Sequence, residues 1–456
     1  MTSTFFCNRW AGFACLTLVA LVSASAADLR LVNAVKSGDK KEIATLLRAK
    51  VDVNASQPGG ATPLAWAAQR ADNDTAKLLL AAGAKPDTAN DYGESPLTLA
   101  CANSDTALVK SLLTAGANAR AVRLNGETAL MICAATGNVE AVNLLLAKGA
   151  DVAAVDKEKG QNALMWAAAE GRAEVVKTLA AHGANVNAVS TGNFTPLMFA
   201  AEKGDADTVK ALTAAGADPN KAMPDGTTAI LIASNLKKSA AVSALLVTGA
   251  SPTVADRNGN TPLHSAAQAG DAELIHELIA KGANPNAKTA TTAAGGRGRA
   301  GGFGRGAAPG QRTPLMVAAK AGHVDAMKAL VDGGADFKLR AQDGTTLLME
   351  AAGSGNVEAV KYAFDLDPDP KTVQATNQTG NNAIHMSVTA TNGTPQKNTC
   401  EVIQFLADKG IDVDVKNAQG RTAIQIANVL PIDTAVTLMV DILKKEGRKP
   451  LIDPSR

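Results

Sequence analysis

A three-residue motif recurs along the chain at nearly constant spacing. We call it the marker tripeptide: its first residue is Thr, Ser or Asn, its second is mostly Pro or Ala, and its third is Leu or Ile. The copies are Thr62-Pro63-Leu64, Ser95-Pro96-Leu97, Thr128-Ala129-Leu130, Asn162-Ala163-Leu164, Thr195-Pro196-Leu197, Thr228-Ala229-Ile230, Thr261-Pro262-Leu263, Thr313-Pro314-Leu315, Thr346-Leu347-Leu348, Asn382-Ala383-Ile384 and Thr422-Ala423-Ile424. Successive copies begin 33, 33, 34, 33, 33, 33, 52, 33, 36 and 40 residues apart. A period of this length indicates a stack of repeated units, since separate globular domains would not share it.

The residues of the marker tripeptide are those of a helix start. The side-chain oxygen of Thr, Ser or Asn accepts a hydrogen bond from a free backbone N–H, and Pro or Ala suits the first helical position. A second amphipathic helix follows, with inward residues 14 and 17 positions after the marker, such as Val142 and Leu145. A glycine such as Gly149 ends this helix, and Gly126 is typical of the turn before the next marker. Each unit is therefore predicted to be helix, turn, helix and hairpin.

The segment GNTPLHSAAQAGDAELIHELIAKGANPNA, residues 259–287, resembles the consensus of the ankyrin repeat family. The resemblance implies an all-α solenoid of about twelve helix-turn-helix units with β-hairpin fingers, and a concave surface that binds a protein partner. We assign residues 27–288 to units 1–8, and residues 313–456 to units 9–12 with a C-terminal cap and a short basic tail. The family's histidine after the marker occurs only at His264 and His385.

The segment GGRGRAGGFGRG, residues 295–306, interrupts the spacing of the units. The interval of 52 residues exceeds the usual 33 by 19, which places a Gly/Arg-rich insertion within a finger, over residues 289–312. Its composition is typical of a flexible solvated loop. The alternative is a polyanion-binding or cell-envelope-binding segment that uses Arg297, Arg299, Phe303, Arg305 and Arg312. An anionic polysaccharide or an acidic protein surface suits an exported protein better than nucleic acid does.

The N-terminal residues have the pattern of a secretory signal peptide. Arg9 precedes an apolar run over residues 10–22, and Ala24-Ser25-Ala26 supplies the small residues of a cleavage site. We expect residues 1–26 to be removed and the protein to be periplasmic or extracellular. A membrane-anchored form is the alternative, which the shortness of the apolar run disfavours.

Three cysteines remain after the expected cleavage, namely Cys101, Cys133 and Cys400. Their odd number and irregular spacing predict neither a disulfide framework nor a zinc site. Cys101 and Cys133 both fall at buried helix positions, so we expect them to act as small apolar side chains.

No residue pattern indicates catalysis. His276-Glu277 lacks the second histidine of a zinc-protease motif, because Ala280 stands at that position. Asp365, Asp367 and Asp369 do not form a calcium loop, because Pro370 stands where such a loop needs glycine. We predict no enzyme activity, no cofactor and no metal, with a cryptic hydrolase as the remaining alternative.

The charge balance and the repeat together favour a protein partner. Forty-five basic and 43 acidic residues leave a net charge of +2, so no overall field attracts nucleic acid or anionic lipid. The candidate partner-binding residues on the fingers and inner helices are Arg70, Tyr92, Leu124, Glu170, Phe194, Lys203 and Arg257. Trp66, Trp166 and Phe199 follow the marker at a position where packing is favoured over ligand contact. We expect a monomer.

Overall fold

The computed structural model describes residues 28–291, 310–389, 395–430 and 432–449. The helices are, in chain order, α1 (Arg30–Ser37), α2 (Lys40–Arg48), α3 (Pro63–Gln69), α4 (Asn73–Ala81), α5 (Pro96–Ala102), α6 (Thr106–Thr114), α7 (Ala129–Thr136), α8 (Val139–Ala147), α9 (Ala163–Ala169), α10 (Ala173–Ala181), α11 (Pro196–Lys203), α12 (Ala206–Ala214), α13 (Ala229–Asn235), α14 (Ser239–Val247), α15 (Pro262–Ala269), α16 (Ala272–Ala280), α17 (Pro314–Ala321), α18 (Val324–Asp332), α19 (Leu347–Ala352), α20 (Val357–Leu366), α21 (Pro370–Val373), α22 (Ala383–Val388), α23 (Gln396–Asp408), α24 (Ala423–Val429) and α25 (Asp433–Lys445). Apart from the short α21, these helices form twelve pairs, which confirms the prediction of an all-α repeat stack.

Each pair consists of an inner helix, which starts at the marker tripeptide in units 2–12, and an outer helix behind it. One continuous apolar core runs through the stack and includes Leu64, Leu97 and Leu130 of successive markers. In most units the inner helices pack on each other more extensively than the outer helices do, because their facing side chains are mostly alanine. Closer packing on the inner side favours curvature toward the inner helices, and we call the side of the stack that carries them the concave face. Within the described residues, no helix is both long enough and apolar enough to span a membrane.

The marker tripeptide caps most of the inner helices as predicted. Thr62 Oγ1 accepts a hydrogen bond from Ala65 N at 3.2 Å, and Thr195 Oγ1 accepts one from Met198 N at 3.2 Å. The proline that follows each of these threonines occupies the first helical turn, where no backbone donor is needed.

The fingers differ from the predicted β-hairpins. The described residues form no extended strand, and only isolated bridges occur, such as that between Val122 and Thr128. Each finger is a tight turn with too few flanking residues for a ladder. Adjacent fingers are joined instead by hydrogen bonds such as Asp91 N to Gly59 O, at 3.0 Å. Gly93 is required at one tip, because its φ is 79° and a Cβ there would lie 2.7 Å from Leu124 N.

A row of asparagines also ties consecutive units together. Asn187 Nδ2 donates to Gly216 O at 3.1 Å, and Asn187 Oδ1 accepts from Asp218 N at 2.9 Å. Asn220 repeats both contacts one unit later, with Gly249 O and Ser251 N. The asparagine at this position therefore links the loop after one outer helix to the loop after the next outer helix.

The finger that carries the insertion is closed at its base. Thr289 N donates to Arg312 O at 3.0 Å, and Arg312 N donates to Thr289 Oγ1 at 3.0 Å. The unit that follows begins normally at Thr313, so the insertion leaves the helix stack uninterrupted. The central part of the insertion, residues 292–309, lies outside the described residues, as do residues 1–27.

The expectation that Cys101 and Cys133 are only small apolar side chains is wrong, because they form a disulfide bond. Both are fully buried, and their Cα atoms are 4.6 Å apart. The two residues occupy small-residue positions on α5 and α7, and alanine fills these positions in most other units. Cys400 is free and half-buried.

Candidate functional site

A line of apolar side chains runs along the concave face. Each residue lies four positions after the first residue of a marker, on the side of the inner helix turned away from the outer helix. We call this set the apolar line: Trp66, Leu99, Ile132, Trp166, Phe199 and Ile232. Leu99 and Ile132 are buried, whereas the other four are half-buried and pack against the core while retaining an exposed edge.

The two tryptophans of this line expose hydrocarbon rather than their polar atom. Nε1 of Trp66 and Nε1 of Trp166 are both buried, and neither donates to an acceptor within the described residues. The Lys36 ammonium lies 4.8 Å from the centre of the Trp66 ring. The packing role predicted for these residues therefore coexists with an accessible apolar edge.

Tyr92 and Leu124 lie side by side at the tips of neighbouring fingers. Their side chains are 73% and 67% exposed, and Leu124 N donates to Tyr92 O at 3.4 Å. Arg123 supports the tips from beneath, at 3.1 Å from Glu94 and 2.9 Å from Glu127. The two predicted contact residues thus form one exposed apolar pair, and the ion pairs of Arg123 hold the fingers beneath it in place.

Phe194 connects a finger to the concave face. It directly precedes Thr195, and its ring centre lies 5.3 Å from that of Phe199 in the apolar line. Phe194 is half-buried, so its aromatic surface extends the line toward the fingers.

Three other predicted contact residues are exposed but already have partners. Arg70 Nη1 donates to Lys36 O at 3.1 Å, which ties the end of α3 to the first unit. Glu170 and Lys203 form an ion pair with 3.3 Å between their charged atoms. Exposed pairs of this kind contribute little to stability, and here each charge compensates the other.

Arg257 lies at the edge of a cleft between the finger before α15, the end of α13 and the root of the insertion. The cleft has a volume of about 530 Å³, and Lys237 and Arg312 also contribute to its walls. Arg257 and Lys237 are exposed and form no ion pair with any described residue.

Arg312 does not fit its predicted role as a polyanion contact. Its Nε lies 2.9 Å from Glu350 Oε1, and the two side chains are 15% and 3% exposed. Burial raises the pKa of Glu350, while the charges of Arg312 and Lys320 oppose that change. Because the guanidinium is largely buried beside a carboxylate, Arg312 is a structural residue at the base of the insertion. Arg297, Arg299, Phe303 and Arg305 lie outside the described residues.

His264 is held by contacts at both ring nitrogens. Nδ1 accepts from Thr261 N at 3.2 Å, and Nε2 donates to Arg312 O at 3.0 Å. Burial lowers the pKa of His264, which favours the neutral ring that this arrangement needs. The described residues contain no cluster of His, Cys, Asp and Glu side chains suited to a metal ion.

Glu350, Lys237 and Ile232 are not among the residues predicted from the sequence. A signal for Glu350 was present, because it occupies the apolar-line position of its unit and is the only charged residue there among units 2–12. Lys237 gave no such signal, since its place in the cleft depends on how the loop after α13 meets the next finger.

The comparisons with known proteins agree with this arrangement. A family model for ankyrin repeats matches residues 31–121, 100–190, 193–289 and 303–374, together more than half of the chain. The chain is also 28% identical over 117 residues to a transient receptor potential cation channel subfamily A member 1 homolog of Caenorhabditis elegans. That match covers 26% of this chain and 9% of the channel, so the chain spans only a small part of that relative's length. Ankyrin repeats generally mediate contacts between proteins, and this chain belongs to the ankyrin repeat family.

Proposed function

We propose that this protein is a non-catalytic scaffold that binds one partner protein on its concave face. The observation that carries the proposal is the apolar line together with the exposed pair Tyr92 and Leu124 on the fingers beside it. Aromatic side chains such as Trp and Tyr are typical anchors of a protein interface. A monomer that presents this face to its partner is the simplest arrangement.

We further propose that the protein acts after export, in the periplasm or outside the cell. The disulfide between Cys101 and Cys133 supports this, because such bonds persist in oxidising compartments and are rare in the cytosol. Sequencing the N-terminus of the protein recovered from cells provides the test. A chain that begins at Ala27 agrees with export, and a chain in the cytoplasm that retains residues 1–26 contradicts it.

The binding proposal is tested by affinity capture with the mature chain as bait, repeated with two matched double variants. Tyr92→Ser/Leu124→Ser removes the exposed apolar pair on the fingers. Leu78→Ser/Val247→Ser removes two side chains on outer helices that are 53% and 68% exposed. We expect the first variant to lose a protein that both the wild type and the second variant retain. Equal retention by both variants would place the binding surface elsewhere.

A further inference from the structure

The cleft beside Arg257 differs in character from the rest of the concave face. At the apolar-line position, α15 carries Ser265 in place of the hydrophobic residues of units 2–7, and Ser265 lines the cleft. The neutral part of the wall includes Asn235, Asn258 and Gln268. The row of apolar side chains is therefore interrupted at Ser265 in α15, and it resumes with Val317 in α17, which also lines the cleft.

The charged side chains that line this cleft are all basic. Lys237 and Arg257 stand at its edge, Arg312 lies deeper, and no carboxylate is among the described lining residues. Lys237 lies two residues after the end of α13, in the loop beside the cleft, and its φ is 57°. The two cations at the edge are free to pair with an incoming anion.

The nearest acidic groups are occupied elsewhere. Asp256 Oδ1 accepts from Asn258 N and from Asn260 N, both at 2.8 Å, and Oδ2 accepts from Asn260 Nδ2 at 3.1 Å. Glu350 is buried beside Arg312. Asp225 is exposed and interacts electrostatically with Arg257, but it does not line the cleft.

We propose that this cleft binds the carboxylates of an acidic segment of the partner protein. The inference rests on the proposed function and adds the chemistry of the partner. A chain bound along the concave face meets hydrocarbon over units 2–7 and unpaired cations at units 7 and 8. The partner therefore combines an apolar segment with a run of Asp or Glu residues. The amide side chains in the wall suit a peptide, because they both donate and accept hydrogen bonds.

The test uses a fluorescent hexaglutamate peptide and a hexaglutamine control with the full mature chain. Lys237→Gln/Arg257→Gln removes the two unpaired cations. Lys77→Gln/Lys110→Gln removes the same charge from exposed sites on outer helices α4 and α6 and is the matched control. We expect hexaglutamate to bind about tenfold more weakly to the first variant, as the loss of two exposed ion pairs implies, and unchanged to the second. Circular dichroism of both variants verifies that they are folded.

Three results would overturn the inference. One is equal loss of affinity in both variants, because it would mean that only net charge matters. Another is hexaglutamine binding as tightly as hexaglutamate. The third is displacement of the labelled peptide by inorganic phosphate at lower concentration than by unlabelled hexaglutamate, which would assign the cleft to phosphate.

The outcomes of this test remain separate from those of the proposed function. Hexaglutamate binding does not involve Tyr92 or Leu124, so the peptide result stands whether or not the finger variant loses the partner. If capture of the partner requires Tyr92 and Leu124 but does not require Lys237 and Arg257, this inference is wrong and the proposed function stands.

Discussion

Arg312 and Glu350 form an ion pair that joins the base of the insertion to α19, with 2.9 Å between Arg312 Nε and Glu350 Oε1. The carbonyl oxygen of Arg312 also accepts a hydrogen bond from His264 in α15 at 3.0 Å. Arg312 directly precedes Thr313, the N-terminal cap of α17, so one residue connects three successive inner helices. The end of the insertion is thus fixed to the core of the stack.

Replacement of Arg312 by Met should destabilise the protein strongly. The Glu350 carboxylate would stay buried with Lys320 as its remaining nearby cation. Removing one partner of a buried pair typically costs about 3 kcal/mol in the free energy of unfolding. Urea titration of Arg312→Met measures this loss. The double variant Arg312→Met/Glu350→Leu should recover most of it, and a double variant less stable than the single one would contradict the ion-pair role.

The pH dependence of stability should include a contribution from His264. Burial lowers its pKa below the ordinary value of 6.5, so the folded state binds fewer protons than the unfolded state between the two pKa values. The contribution is present above pH 6.5 and is lost as pH falls toward the lower, folded-state pKa. Unfolding measured from pH 7.5 to 5 should therefore show a smaller decline in His264→Gln than in the wild type.

The control for this experiment is His276→Gln, on the exposed side of α16, which should keep the wild-type decline. Burial also lowers the pKa of His385, so some decline persists in His264→Gln. Identical pH profiles for His264→Gln and the wild type would remove His264 from the explanation.

The disulfide should contribute measurably to stability. It closes a loop across 32 residues between α5 and α7, and disulfides typically add about 2–4 kcal/mol to the free energy of unfolding. We expect dithiothreitol to lower the denaturation midpoint of the wild type. Cys101→Ala/Cys133→Ala should show the lowered midpoint without reductant and no further response to it. A wild-type midpoint insensitive to full reduction would contradict the contribution of the bond.

Thr195 and Thr228 allow the energy of the capping hydrogen bond to be measured, because both are the first residue of a marker tripeptide but they differ in their contacts. Thr195 Oγ1 accepts from Met198 N, whereas Thr228 Oγ1 is buried without a partner among the described residues. Thr195→Ala should cost about 1 kcal/mol of unfolding free energy, and Thr228→Ala should cost less. Thermal or urea unfolding of both variants measures the difference. Equal losses would show that the side-chain hydrogen bond contributes nothing.

The repeat could be predicted from the sequence because its determinants are local. The capping residue, the proline after it and the three-residue spacing of pairs such as Val142 and Leu145 each act within one helix or one turn. The predicted hairpins were less accurate, because strand formation needs flanking residues that short fingers lack. Gly93 marks a turn in the sequence, but only the structure shows its contact with the next finger.

Features that depend on contacts between units could not be predicted so well. Cys101 and Cys133 looked like two buried small residues, and their pairing follows from how closely α5 approaches α7. Arg312 looked like part of the Gly/Arg-rich insertion, and its pairing with Glu350 depends on the stacking of α17 against α19. The exposure of Tyr92, Leu124 and Arg257, by contrast, follows from their positions in the fingers, and the repeat pattern predicts those positions from the sequence.

Photochemical cross-linking measures partner contact with the concave face most directly. A benzophenone amino acid is placed at position 92 on the fingers in one variant and at position 78 on outer helix α4 in another. If the concave face binds the partner, irradiation will join the partner to the chain labelled at position 92 and leave the chain labelled at position 78 free. Cross-linking from position 78 alone, or with equal yield from both positions, would contradict binding on the concave face.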